Sequence, residues 1–178
     1  MSFIVETLKI VIVALAVVLP IRYFIFQPFI VKGESMEPNF QNGNYLIIDE
    51  LSYRLHNPQR GEVVVFRYPF NPSQRYIKRI IGLPGETLEI QDQKVEVFDA
   101  AGQPLVLQEN TYLPEDDITL GNLKITLKAN EYFVLGDNRL SSSDSRAWGV
   151  LPRANIIGKV ILRLWPPQGL TVVAAPAY

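Results

Sequence analysis

The sequence predicts a mainly β protein, with folded antiparallel sheets in a barrel-like arrangement, behind one N-terminal transmembrane helix. Three observations carry that prediction. Residues 3–30 hold the one long apolar stretch. The remainder breaks into short runs rich in β-branched and aromatic residues, closed by Gly or Pro. No repeats or low-complexity stretches interrupt it, so a single β-rich domain is expected. The division that follows is a membrane anchor over 1–28 and a β-rich domain over 29–178.

Taken in order, the apolar end comes first. Its uninterrupted part, residues 10–19, is short for a bilayer crossing, and extension through Tyr23-Phe24-Ile25-Phe26 reaches spanning length. Lys9 and Arg22 can snorkel toward headgroups, and Pro20 is tolerated in lipid. A cleavable leader would want a cationic start and a small-residue cut site. Glu6 offsets Lys9 instead, and Gln27-Pro28-Phe29 is bulky. The run is apolar on all faces, which fits lipid better than an amphipathic surface. Its orientation is weakly marked, because Lys9 on one flank faces Arg22 and Lys32 on the other.

Strands are then expected at 44–49, 62–66, 76–81, 86–90, 94–98, 105–107, 131–135 and 156–162, with breakers such as Gly82-Leu83-Pro84-Gly85 between them. The acidic segment 108–122 lacks periodicity and reads as a surface excursion.

Composition excludes several chemistries. The formal net charge is −1, with 17 Lys and Arg against 18 Asp and Glu, which leaves no nucleic-acid footprint. Cysteine is absent, so thiol catalysis, disulfides and thiolate metal sites are excluded. The single histidine, His56, cannot supply a zinc site; no metal and no cofactor are expected. His56 lies in Leu55-His56-Asn57-Pro58, which reads as an exposed turn rather than a triad member. An activated serine would therefore need a lysine as its base.

Three stretches can carry chemistry. Gly33-Glu34-Ser35-Met36-Glu37-Pro38 follows the apolar end, and Ser35 is either a turn cap or a nucleophile held near lipid. Lys78 lies in Tyr76-Ile77-Lys78-Arg79-Ile80-Ile81, where alternation puts Lys78 and Arg79 on opposite faces. It is either an edge-strand lysine or a desolvated amine able to act as a base near neutral pH. The loop Gly136-Asp137-Asn138-Arg139 through Ser145-Arg146 is dense in acceptors, arginines and hydroxyls. It reads either as a solvated turn or as a functional loop on a β scaffold.

In order and spacing, and behind an anchor, these three stretches resemble the boxes of the type I signal peptidases. The likeness runs from the anchor to the final strand. It implies a membrane-bound serine endopeptidase with Ser35 as nucleophile and Lys78 as general base. Ser142 matches the position that orients the lysine, Asp144 and Arg146 a supporting ion pair, and Asp137 and Asn138 structural members of the loop. Val31 and Ile77 match walls of the pocket for the small residue before the cut. The implied partners are pre-proteins with A-x-A-like cleavage sites and the lipid bilayer. The implied location is a plasma or thylakoid-type membrane, with the active domain on the extracytoplasmic side. Gly33 departs from members that carry Ser or Thr there, whose hydroxyl donates to the oxyanion. The alternatives are an inactive membrane-anchored β scaffold, argued against by Ser35 and Lys78, and a self-cleaving Ser/Lys regulator, which would want a DNA-binding segment.

Overall fold

The computed structural model describes residues 2–24, 26–114 and 117–176. Helix α1 (Ser2–Phe24) leads into β1 (Phe26–Ile30), and β2 (Tyr45–Asp49) pairs antiparallel with it. A short helix α2 (Ser52–Leu55) precedes β3 (Val63–Tyr68) and the long β4 (Asn71–Gly82). Then come β5 (Thr87–Gln91), β6 (Lys94–Phe98), β7 (Pro104–Leu105), β8 (Leu123–Thr126) and β9 (Glu131–Leu135). The chain finishes with α3 (Ser145–Trp148), β10 (Leu151–Pro152), β11 (Ile156–Trp165) and β12 (Thr171–Val172).

Two open antiparallel sheets result. One has eight strands in the order β1-β2-β11-β3-β4-β9-β10, with β12 on β11; the other has four, β7-β6-β5-β8. Neither closes, so the barrel-like expectation is corrected to two sheets with free ends. They meet where Ile81 and the β9 residues Phe133 and Leu135 bury against Leu88, Ile90 and Val97. The eight-stranded sheet is covered on both faces. Val63, Val65 and Ile77 pack with Val31, Met36 and Phe40 on one side, while Val64, Phe66 and Ile80 pack with Tyr53 and Leu151 on the other. This is the alternation of a strand buried twice over, which produces the near-continuous apolar run Val63-Val64-Val65-Phe66.

The sequence expectations fail where sequence-distant partners decide. Residues 26–30, read with the apolar end, form a strand because the chain doubles back onto β2. β8, β10 and β12 were not foreseen, and α2 and α3 are single turns. The excursion 108–122 is not wholly at the surface, since Tyr112, Leu113 and Thr119 are buried.

In α1 the described side chains cover residues 3–16, and the large apolar ones among them, including Phe3, Ile4, Leu8, Ile10 and Val13, are exposed. Among the described residues no helix is long and apolar enough to cross a membrane.

Candidate active site

Ser35 is fixed by the loop between β1 and β2. That loop is closed at its base by Val31 N–H to Asn44 O (3.0 Å) and Gly43 N–H to Val31 O (2.9 Å). Its floor is apolar: Met36 and Phe40 sit one helical turn apart, joined by Phe40 N–H to Met36 O (2.8 Å), and both point into the core. Ser35 is left half-buried above that floor.

Lys78 arrives from β4. This strand lies between β3 and β9, so the edge-strand reading of the lysine is overturned. Both cations are buried, Lys78 at 3% exposure and Arg79 at 4%. Lys78 Nζ donates to Ser35 Oγ at 2.7 Å and to the Ile77 carbonyl at 2.9 Å. Burial pushes the ammonium pKa down to about 8, against opposing pulls from Asp144 and Asp137. A neutral amine at the same separation can instead accept the Ser35 proton through its lone pair.

The loop after β9 clamps this pair. Asn138 N–H donates to Ser35 O (3.1 Å), and Asn138 Nδ2 to Glu34 O (3.2 Å). Asp144, fully buried, accepts from Gly136 N–H at 3.1 Å and from Arg146 Nε and Nη2, each at 2.8 Å. Gly136 is thereby pressed against the site. A Cβ there would collide with Ser142 Oγ and with the Ser35 carbonyl oxygen. Ser142 Oγ is buried and has no hydrogen-bond partner among the described residues.

Two buried arginines brace the loop. Arg79 grips Asp137 through Nε (2.8 Å) and Nη2 (2.7 Å), and Asn39 Nδ2 donates to the same carboxylate at 2.9 Å. One carboxylate thus ties β4, the loop after β9 and the Ser35 loop together. Arg139, 2% exposed, donates to Gly136 O (3.1 Å) and Thr119 Oγ1 (2.6 Å) and pairs with Glu109. Glu109, Thr119, Gly136 and Arg139 were not foreseen as site residues. Nothing local marks the first two, whose partner is distant in sequence.

An open cleft of about 700 Å³ runs over Ser35 and Lys78. Residues 29–30 and 32–35 form one wall, residues 73–78 the other, and Ser141 and Ser143 lie at one side. Ile77 lines it. Val31 lies beneath it, 1% exposed, in the cluster with Met36. Gly33 has φ +87°, with open space where a Cβ would stand. Its backbone conformation, rather than crowding, therefore disfavours a side chain there. No group of three or more metal-ligating side chains occurs among the described residues. The two loop acids are engaged by Arg79 and Arg146.

Residues 4–165 match the protein family described as signal peptidase, peptidase S26. A probable signal peptidase I-1 of Synechocystis sp. is 36% identical over 172 residues, covering 93% of this chain and 84% of that protein. Signal peptidase I of Leptolyngbya laminosa is 37% identical over 179 residues, covering 96% and 84%. The crystal structure of a signal peptidase I from Enterococcus faecalis V583 has 32% sequence identity and a TM-score of 0.47, covering 58% of this chain and 97% of that one. By the extent of these matches, the chain belongs to the signal peptidase family, peptidase S26.

Proposed function

We propose that this protein is a signal peptidase I-type serine endopeptidase that removes N-terminal signal peptides from pre-proteins after small residues, using Ser35 and Lys78. The observation that carries the dyad is the 2.7 Å contact between Lys78 Nζ and Ser35 Oγ, made by a buried lysine whose pKa falls to about 8. Neutral Lys78 takes the Ser35 proton as Oγ attacks the scissile carbonyl. The protonated lysine then hands that proton to the leaving amine, and water hydrolyses the acyl-enzyme by the reverse relay. The Ser35 N–H is placed to meet the developing oxyanion. Asp137, Asn138, Asp144 and Arg146 hold the loop that positions the pair, and Ser142 supports the lysine by its place beside Gly136. Ile77, with Val31 beneath, walls the pocket for the small side chain.

Helix α1 acts as a single-pass membrane anchor, with the chain from β1 onward as the active domain on the extracytoplasmic side of a plasma or thylakoid-type membrane; the boundary moves back from residue 28 because residues 26–30 pair with β2. The exposed apolar side chains of α1 support this, because water disfavours them and lipid does not. The test is cleavage of a pre-protein in detergent micelles by the wild type beside Ser35→Ala. Wild type releases the signal peptide and Ser35→Ala does not; equal processing by the two enzymes would sink the dyad.

A further inference from the structure

We propose that Arg75 reads charge in the substrate, so that the cleft favours extended peptides bearing an acidic side chain outside the two small positions. This rests on the peptidase reading above. β4 places Arg75 two residues before Ile77, and strand alternation puts both on one face. Both line the wall opposite the Ser35 segment. Arg75 is exposed and stands in register opposite Arg67 on β3, which is also exposed. Like charges directly opposite on paired strands destabilise the pairing. Yet among the described residues neither guanidinium has a carboxylate partner.

The contrast with the interior is informative. Arg79, Arg139 and Arg146 are each committed to Asp137, Glu109 and Asp144, so they have no carboxylate-binding capacity left for a peptide. On the facing wall the charged residues are Lys32 and Glu34, both exposed and, among the described residues, in no ion pair. The β4 wall is therefore the cationic one. An extended peptide between the two walls presents alternate side chains to each. A carboxylate turned to the β4 wall meets the forked donors of Arg75, which pair with no carboxylate among the described residues. An anionic lipid would offer the same charge, but Arg75 shares its wall with Ile77 and Lys78, where the peptide must lie.

Exposed ion pairs of this kind change affinity by roughly 1.5- to 5-fold each. The experiment uses the full chain in neutral detergent with cleavage-site peptides differing at one position, Asp, Asn or Lys, scanned through the flanking positions other than the two small ones. At one position the wild-type kcat/KM ratio of Asp to Lys is expected to reach roughly three- to tenfold. It is carried by KM and shrinks in about 0.5 M salt. Arg75→Glu inverts that ratio, and Arg75→Gln brings it close to one. Each ratio is taken within one preparation, so partial misfolding of a variant cancels. Wild-type cleavage with no charge preference overturns this inference alone, as does a preference that Arg75→Glu leaves unchanged. Failure to cut even the Asn peptides overturns the peptidase reading and this inference with it. If Arg75→Glu loses only binding to phosphatidylglycerol vesicles, with substrate ratios intact, the arginine belongs to lipid and the inference is overturned.

Discussion

An ammonium taken out of water must find compensation or lose its proton, and Lys78 has the Ser35 hydroxyl and a carbonyl rather than a carboxylate within hydrogen-bond reach. Its folded-state pKa of about 8 lies below the ordinary 10.5. Between those values the unfolded chain holds more protons, so this group's contribution to stability rises with pH through that window. Below about pH 8 the full penalty applies, on the order of 3 kcal/mol. Lys78→Met should therefore abolish cleavage, yet at pH 7 raise stability by up to that amount. The gain should fade as pH approaches 10.5. Urea midpoints of the two proteins at pH 7 and pH 10 check this; equal midpoints at pH 7 would mean the ammonium is not desolvated. The same pKa sets activity: kcat/KM should climb to a plateau with an apparent pKa near 8. Gly136 offers a second test at this scale. An added methyl meets the Ser35 carbonyl, which is backbone and cannot swing aside. Gly136→Ala should cost about 1–3 kcal/mol and displace the dyad, lowering kcat by about a hundredfold. A variant with wild-type kcat would show that the loop can retreat without moving Ser35.

Among the elements, β4 and the loop after β9 do most of the positioning, because β4 delivers Ile77, Lys78 and Arg79 in succession to the cleft, Ser35 and Asp137. Arg79 and Asp137 are both almost fully buried. Removing one partner of such a pair is strongly destabilising, whereas removing both is far milder. Asp137→Ala should cost about 3–5 kcal/mol, and adding Arg79→Met should restore much of it. A double-mutant cycle by chemical denaturation checks the coupling, and additive losses would show that the two side chains act independently. This also marks the limit of what was legible. The strands at 62–66, 76–81 and 131–135 were readable, because β-branched runs between Gly and Pro declare themselves. The setting of Ser35 and Lys78 in ordered boxes singled out two residues that the structure brings within 2.7 Å of each other. The pairing of Arg139 with Glu109 was not readable, since Glu109 carries no local signal and meets Arg139 only through the folded chain. The alternation that puts Lys78 and Arg79 on opposite faces did not reveal that both are buried. Alternation decides which side chains share a face, but only the whole packing decides that both faces are covered.

At the scale of the molecule, α1 contrasts with the β-rich remainder, whose apolar side chains pack into three buried clusters. The described apolar side chains of this helix are exposed, and among the described elements its main contact is with β1. A helix with that surface is unfavourable in water and gains on entering lipid, by about 25 cal/mol per Å² of apolar surface covered. As the proposed anchor, α1 stands apart from the Ser35–Lys78 pair, which is held by the β1–β2 loop, β4 and the loop after β9. What it supplies is local concentration. It confines the cleft to the surface where a pre-protein's apolar segment also lies, and tethering of this kind is worth about 10²-fold or more. A chain starting at Phe26, with β1 kept, should therefore cut short soluble cleavage-site peptides at close to the full-length rate. It should process a pre-protein embedded in liposomes about a hundredfold more slowly. Detergent micelles that disperse both partners should narrow that gap. Equal processing of the liposome-embedded pre-protein by the two forms would show that the β domain finds the membrane without α1. Loss of activity on soluble peptides as well would instead mean that α1 holds β1, and through it the Ser35 loop, in place.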